Sequence, residues 1–123
     1  MSDKLALLAW SISPATPALC AAPFVYASVA AALDCEVEIH FAGLAVKLLV
    51  AGVAAAVVTG ADKNLYEFMQ EAARQGVRFL ACSMAANEHI EPGQTLIPEF
   101  SGHVGAAAFV GRTLAPDWKT LVF

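Results

Sequence analysis

Cys82 is the residue whose setting most invites chemistry. It closes the stretch GVRFLAC, Gly76 to Cys82, in which Val77, Phe79, Leu80 and Ala81 are apolar, and Ser83, Met84, Ala85, Ala86 and Asn87 follow it. A thiol between an apolar strand and the start of a helix lies beside free backbone N–H groups. The positive end of the helix dipole then favours thiolate over thiol. Such a setting suits a nucleophile or a carrier of sulfane sulfur, with Ser83 and Met84 as candidate substrate contacts. Free cysteine is also among the residues most often buried in ordinary cores. A packed, inert Cys82 is therefore the alternative.

His40 closes a second apolar stretch, EVEIHF, Glu36 to Phe41. It is either a satisfied core or interface histidine, or a group that faces Cys82 across neighbouring strand ends as its base or stabilising cation. Ser11 and Ser13 follow a first strand and are candidates to line the same cleft. His89 and His103, which flank a loop, are weaker candidates. Cys20 and Cys35 read as inert packing, and Glu36 with Glu38 as the solvated start of a strand. The sequence holds no GxGxxG, P-loop, GxSxG or HExxH, so the usual nucleotide, hydrolase and metalloprotease readings have no warrant. No cofactor and no metal are expected.

The elements that must position these residues alternate. Lys4–Trp10 reads as a buried strand, and Ala15–Leu33 as an Ala-rich helix that Thr16 or Ser13 could cap. Glu36–Phe41 is a second strand, and Gly43–Ala51 looks helical. Lys63–Gln75 has the apolar face of an amphipathic helix stopped by Gly76, and Val77–Cys82 is a third strand. A short strand around Pro98–Ser101, a helix over Val104–Leu114 and a last strand over Trp118–Phe123 complete the pattern. Such alternation indicates right-handed βαβ units in a three-layer α/β/α domain spanning residues 1–123. Ligands of such sheets bind beyond the carboxyl ends of the strands, where Cys82 and His40 fall.

Composition limits the partners. The 123 residues are 59% hydrophobic and 15% charged, with a mean hydropathy of +0.63, a poor covering for a free-standing monomer. Net charge is −4 and the seven Lys and Arg residues are scattered, which gives nucleic acid no basic stripe to bind. Three irregularly spaced cysteines form neither a disulfide framework nor a zinc pattern and fit a reducing cytoplasm. The first apolar stretch, Leu5–Trp10, is too short for an export signal. Phe41–Gly60 is long enough to span a bilayer but is mostly Ala, Val and Gly with Lys47 near its middle, so a buried or subunit-interface segment is expected instead. The uncharged run Leu48–Gly60 is expected to supply the surface of a homo-oligomer, with the stem of Lys47 lying along it.

Three segments, in order, resemble the DsrE/DsrF-like family of small sulfur-relay proteins. They are AAALDCEVEIHFAGLAVKLL, LYEFMQEAARQGVRFLACSMAANEHI and LIPEFSGHVGAAAFVGRTLAPDWKTLVF, together about three quarters of the chain. The resemblance implies a five-stranded parallel sheet of order 4-3-2-1-5, assembly into trimers or hexamers, and persulfide or thiosulfonate chemistry on Cys82, with sulfur passed to or from a partner protein. In that order the second and third strands are neighbours, which would bring His40 and Cys82 to adjacent ends. The chain departs from members that carry Cys-Gly-x-Cys, since Ser83 and Met84 follow Cys82 and provide no internal resolving thiol.

Overall fold

All strand pairings are parallel, and the strands lie in the order β4-β3-β2-β1-β5. The computed structural model describes residues 3–60 and 62–123. Its strands are β1 (Lys4–Ala9), β2 (Glu36–Phe41), β3 (Arg78–Cys82), β4 (Phe100–Val104) and β5 (Trp118–Val122), and its α-helices are α1 (Pro17–Ala32), α2 (Leu65–Arg74), α3 (Ser83–His89) and α4 (Ala106–Leu114). The expected three-layer α/β architecture and strand order are what is observed. Only limits shift. The fourth strand starts two residues later than expected, and the Gly43–Ala51 helix is a run of 3-10 turns over Gly43–Leu49.

Strand alternation assigns the two faces of the sheet. Val37, Ile39 and Phe41 of β2 face α1 and α2, where Phe24, Phe41 and Phe79 form a ring cluster with centroids 5.6–5.9 Å apart. Glu38 and His40 face the other side, toward α4. Helix ends carry their own signals. Asn64 and Glu67 form a reciprocal capping box at the start of α2, satisfying two backbone donors that a helix start leaves open. At its end, Gly76 takes φ +94° and the N–H groups of Gly76 and Val77 reach the carbonyls of Ala73 and Ala72, the pattern of a Schellman stop. Thr16 starts α1 but does not cap it with its side chain. Its hydroxyl instead accepts from the Ser13 amide and donates to the Ser13 carbonyl.

One expectation about surface narrows. The run from Leu48 to Gly60 is surface only in part, because Leu48, Leu49, Val50, Ala54 and Val57 are buried in the core while Ala51, Ala55, Ala56 and Val58 are exposed. The run crosses under the sheet's carboxyl end in short turns and is tied down by an antiparallel bridge from Val50 to Leu96. Lys47 projects outward between the buried Val46 and Leu48. No helix among the described residues is long and apolar enough to cross a membrane. Further exposed apolar side chains lie on α1. α1 carries no charged residue and buries only Cys20, Pro23, Phe24 and Ala27, leaving Tyr26, Val29 and Leu33 outside.

Candidate active site at the carboxyl end of the sheet

Register brings the second and third strands together where the chemistry was expected. His40 pairs with Leu80, and Cys82 lies two residues further along β3. Its side chain therefore emerges on the same face as that of His40, roughly 7 Å further up the sheet. Both residues border one cavity of about 290 Å³. Leu8 and the backbone at Phe41 form its floor, Met84, Ala85 and Glu88 of α3 one wall, and Gly105, Ala106, Phe109 and Val110 at the start of α4 the other. Chain reversal after β2 needs Gly43, which lies at φ +55° in the left-handed region and lines the same space. Any side chain there would be strained.

Each wall has a local cause. Cys82 is both the last residue of β3 and the residue at which α3 begins, with an extended backbone. The residue is half-buried, and it forms no disulfide. Ser83 does not face the cavity. Its hydroxyl donates to the Val104 carbonyl at 3.3 Å, which ties α3 to the end of β4. Met84 borders the opening and is largely exposed.

Ser11 and Ser13 are not part of this cavity, which corrects the expectation that they line it. The chain leaves β1 toward α1, on the opposite face of the sheet from α4. There the Ser13 hydroxyl accepts from the Ala15 amide at 3.1 Å and its carbonyl accepts from the Cys20 thiol at 3.2 Å. The Ser11 amide donates to the Phe123 carbonyl. His89, at the end of α3, and His103, stacked edge-on to Phe100 at 5.0 Å, also lie outside the cavity. Cys20 is fully buried, and burial pushes its thiol pKa up despite the hydrogen bonds to Ser13 and Thr16.

Glu38 is the residue that sequence reasoning missed. Far from being solvated, it is 1% exposed and is the centre of an ion cluster. The Arg112 guanidinium reaches both of its oxygens at 3.2 and 3.3 Å, Arg78 reaches one at 3.4 Å, and His40 Nε2 lies 3.0 Å from Oε1. Burial by itself raises a carboxyl pKa, but the hydrogen bonds from Arg112 and His40 and the charge of Arg112 outweigh it, so Glu38 lies below the ordinary carboxylate range. Arg112 is itself held over the ring of Trp118, with the guanidinium carbon 4.6 Å from the centroid. Two of its pairings were open to discovery from the sequence: His40 shares a strand face with Glu38 two residues away, and Arg78 stands beside Glu38 in register once β2 and β3 are aligned.

A five-stranded parallel sheet of this order, covered on both faces and carrying a cysteine at a strand end, defines a small three-layer α/β protein with a cleft at its carboxyl edge. The chain belongs to the DsrE/DsrF-like family, whose profile residues 5–102 match. The fold is similar to that of the YchN protein of E. coli, with a TM-score of 0.68 and 16% identity over the whole of both chains. It is also similar to MTH1491 of Methanobacterium thermoautotrophicum, described as a protein of unknown function, with a TM-score of 0.62 and 16% identity over the whole of both chains. No protein of curated function matches the chain.

Proposed function

We propose that this protein is a sulfur-relay protein that accepts sulfane sulfur on Cys82 and passes it to the thiol of a partner. The observation that carries this reading is the shared cavity. Cys82 is a free, half-buried cysteine at a strand end, in the same small apolar space as a buried histidine. Family membership supports sulfur relay as the general role.

The chemistry is two exchanges. The Cys82 thiolate attacks the outer sulfur of a donor persulfide, R–S–SH. A new S–S bond forms to Cys82, the donor S–S bond breaks, and R–S⁻ leaves and is protonated. The sulfane sulfur keeps its oxidation level, so no external oxidant or reductant is needed. In the second exchange the acceptor thiolate attacks the outer sulfur of the Cys82 persulfide and Cys82 leaves as thiolate. His40 takes the proton from the Cys82 thiol in the first exchange. Apolar walls from Leu8, Phe109 and Val110 limit access of water to the persulfide. With thiosulfate as donor, attack on its outer sulfur gives the same Cys82 persulfide and sulfite leaves. A thiosulfonate on Cys82 forms by the same exchange when the donor is tetrathionate, and thiosulfate leaves.

The reading is tested by mass spectrometry after treatment with polysulfide or with thiosulfate. A one-sulfur adduct should form on Cys82 with either donor and disappear in Cys82→Ser. A second reading, a non-catalytic oligomeric module with a structural Cys82, is favoured by the packing of that side chain against the core. Absence of any adduct on Cys82 would establish it over the carrier. The three unpaired thiols support a reducing cytoplasm as the site of action.

A further inference from the structure

We propose that Glu38, braced by Arg112, is a positioning residue that fixes His40 as its Nε2–H tautomer and presents the bare Nδ1 to the Cys82 cavity. The inference deepens the sulfur-relay reading and rests on it for the use to which Nδ1 is put.

An ionised carboxylate can only accept hydrogen bonds, and two guanidiniums already donate to Glu38. The proton in the 3.0 Å contact between Glu38 Oε1 and His40 Nε2 therefore belongs to the histidine. A neutral imidazole carries only one N–H, so its second nitrogen is an acceptor.

The position of that second nitrogen follows by elimination. Among the described residues, Nδ1 of His40 has no hydrogen-bond partner, and no fully buried side-chain nitrogen or oxygen lacks one. Nδ1 must therefore retain some open space beside it. His40 is only 3% exposed, and the space it borders is the cavity it shares with Cys82. Phe109 closes the ring from one side, edge-on at 5.4 Å between centroids. The charged groups facing this ring are Glu38, with Arg112 and Arg78 behind it, and Glu88 across the cavity.

α4 thus does two things at once. Through Phe109 and Val110 it builds a cavity wall, and through Arg112 it holds the carboxylate that orients the histidine. The resulting order, a carboxylate, an imidazole and a thiol-bearing cavity, is that of an oriented base serving a nucleophile. The carboxylate does not exchange protons. It selects which ring nitrogen is free to do so.

The test is the tautomer itself. In protein with ¹⁵N-labelled histidine, long-range ¹H–¹⁵N NMR should show His40 with a protonated Nε2 and a bare Nδ1, its signals assigned by their loss in His40→Gln. In Glu38→Gln the side-chain amide can donate to Nε2. The proton should then move to Nδ1, and alkylation of Cys82 by iodoacetamide should slow by at least about tenfold. Simple charge removal predicts the opposite sign, since losing a nearby negative charge favours thiolate and speeds alkylation. If Glu38→Gln does not fold, the double variant Glu38→Gln/Arg112→Met, which leaves no Arg112 guanidinium unpaired, takes its place. Nδ1–H in the wild type, an unmoved tautomer in the variant, or a moved tautomer with unchanged alkylation would each overturn the inference. Because these readouts need no sulfur donor, they stand apart from the adduct experiment, whose failure would remove the carrier reading alone.

Discussion

The three cysteines differ in ways that reactivity can measure. Cys20 is fully buried, its thiol donates to the Ser13 carbonyl, and burial raises its pKa. It should remain unmodified by iodoacetamide at neutral pH while the fold persists. Cys82 borders an open cavity and should be the fast site under the carrier reading. Peptide-resolved alkylation rates decide this, and equal, slow rates at Cys20, Cys35 and Cys82 would end that reading. Glu38 offers a second measurement. Glu38→Ala leaves two guanidiniums and a buried imidazole without their acceptor and should cost about 3 kcal/mol of stability in urea denaturation at neutral pH. The pKa of Glu38 is lowered in the folded state, so its contribution is present above the unfolded carboxyl pKa and is lost as pH falls through the folded value. Wild-type stability should therefore fall across the acid range below the ordinary value of 4.5, and Glu38→Gln should flatten that fall.

At the scale of elements, the site depends on how helix ends and strand ends are fixed. The capping box of Asn64 and Glu67 holds the start of α2, and α2 contributes Leu65, Met69 and Ala72 to the core. Asn64→Ala should lower stability by about 1 kcal/mol, read as a shift in the thermal midpoint, with no change in Cys82 alkylation because α2 lies on the face of the sheet away from the cavity. Phe24→Ala should cost far more, about 3–5 kcal/mol, since its ring joins both Phe41 and Phe79. An Asn64→Ala variant that slowed Cys82 alkylation would show that the two faces are coupled.

For the whole molecule, the expected homo-oligomer now rests on a different surface. The interface proposed here is the outer side of α1, with the neighbouring edge of β5, rather than the run after β2. Tyr26 is 56% exposed, Val29 54% and Leu33 73%, and Tyr26 lies 5.8 Å from the ring of Phe123 at the end of the chain. Covering such a face stabilises assembly by roughly 25 cal/mol for each Å² of apolar area removed from water. Sedimentation should show a trimer or hexamer for the wild type and a folded, smaller species for the double variant Tyr26→Glu/Val29→Glu. Leu48→Glu should instead unfold the chain, because it places a carboxylate in the core. A monodisperse wild-type monomer would refute the oligomer.

By itself the sequence determined the alternation of strands and helices and their parallel class, because periodicity and helix stops are local signals. The apolar run ending at Cys82 and the Gly76 stop could be read from the residues that form them. The order of strands, which no local pattern encodes, came only through the resemblance of three segments to a known family. Tertiary structure alone decided the rest. The run from Leu48 to Gly60 looks like surface because it lacks strand or helix periodicity, yet its short turns bury Leu48, Leu49, Val50 and Val57 and leave Val58 outside. Ser11 and Ser13 follow a strand end as Cys82 does, but the chain turns them toward the opposite face. Glu38 looked solvated because its main partner, Arg112, lies 74 residues away. Burial of a charge is a property of the pair, and only the folded chain brings that pair together.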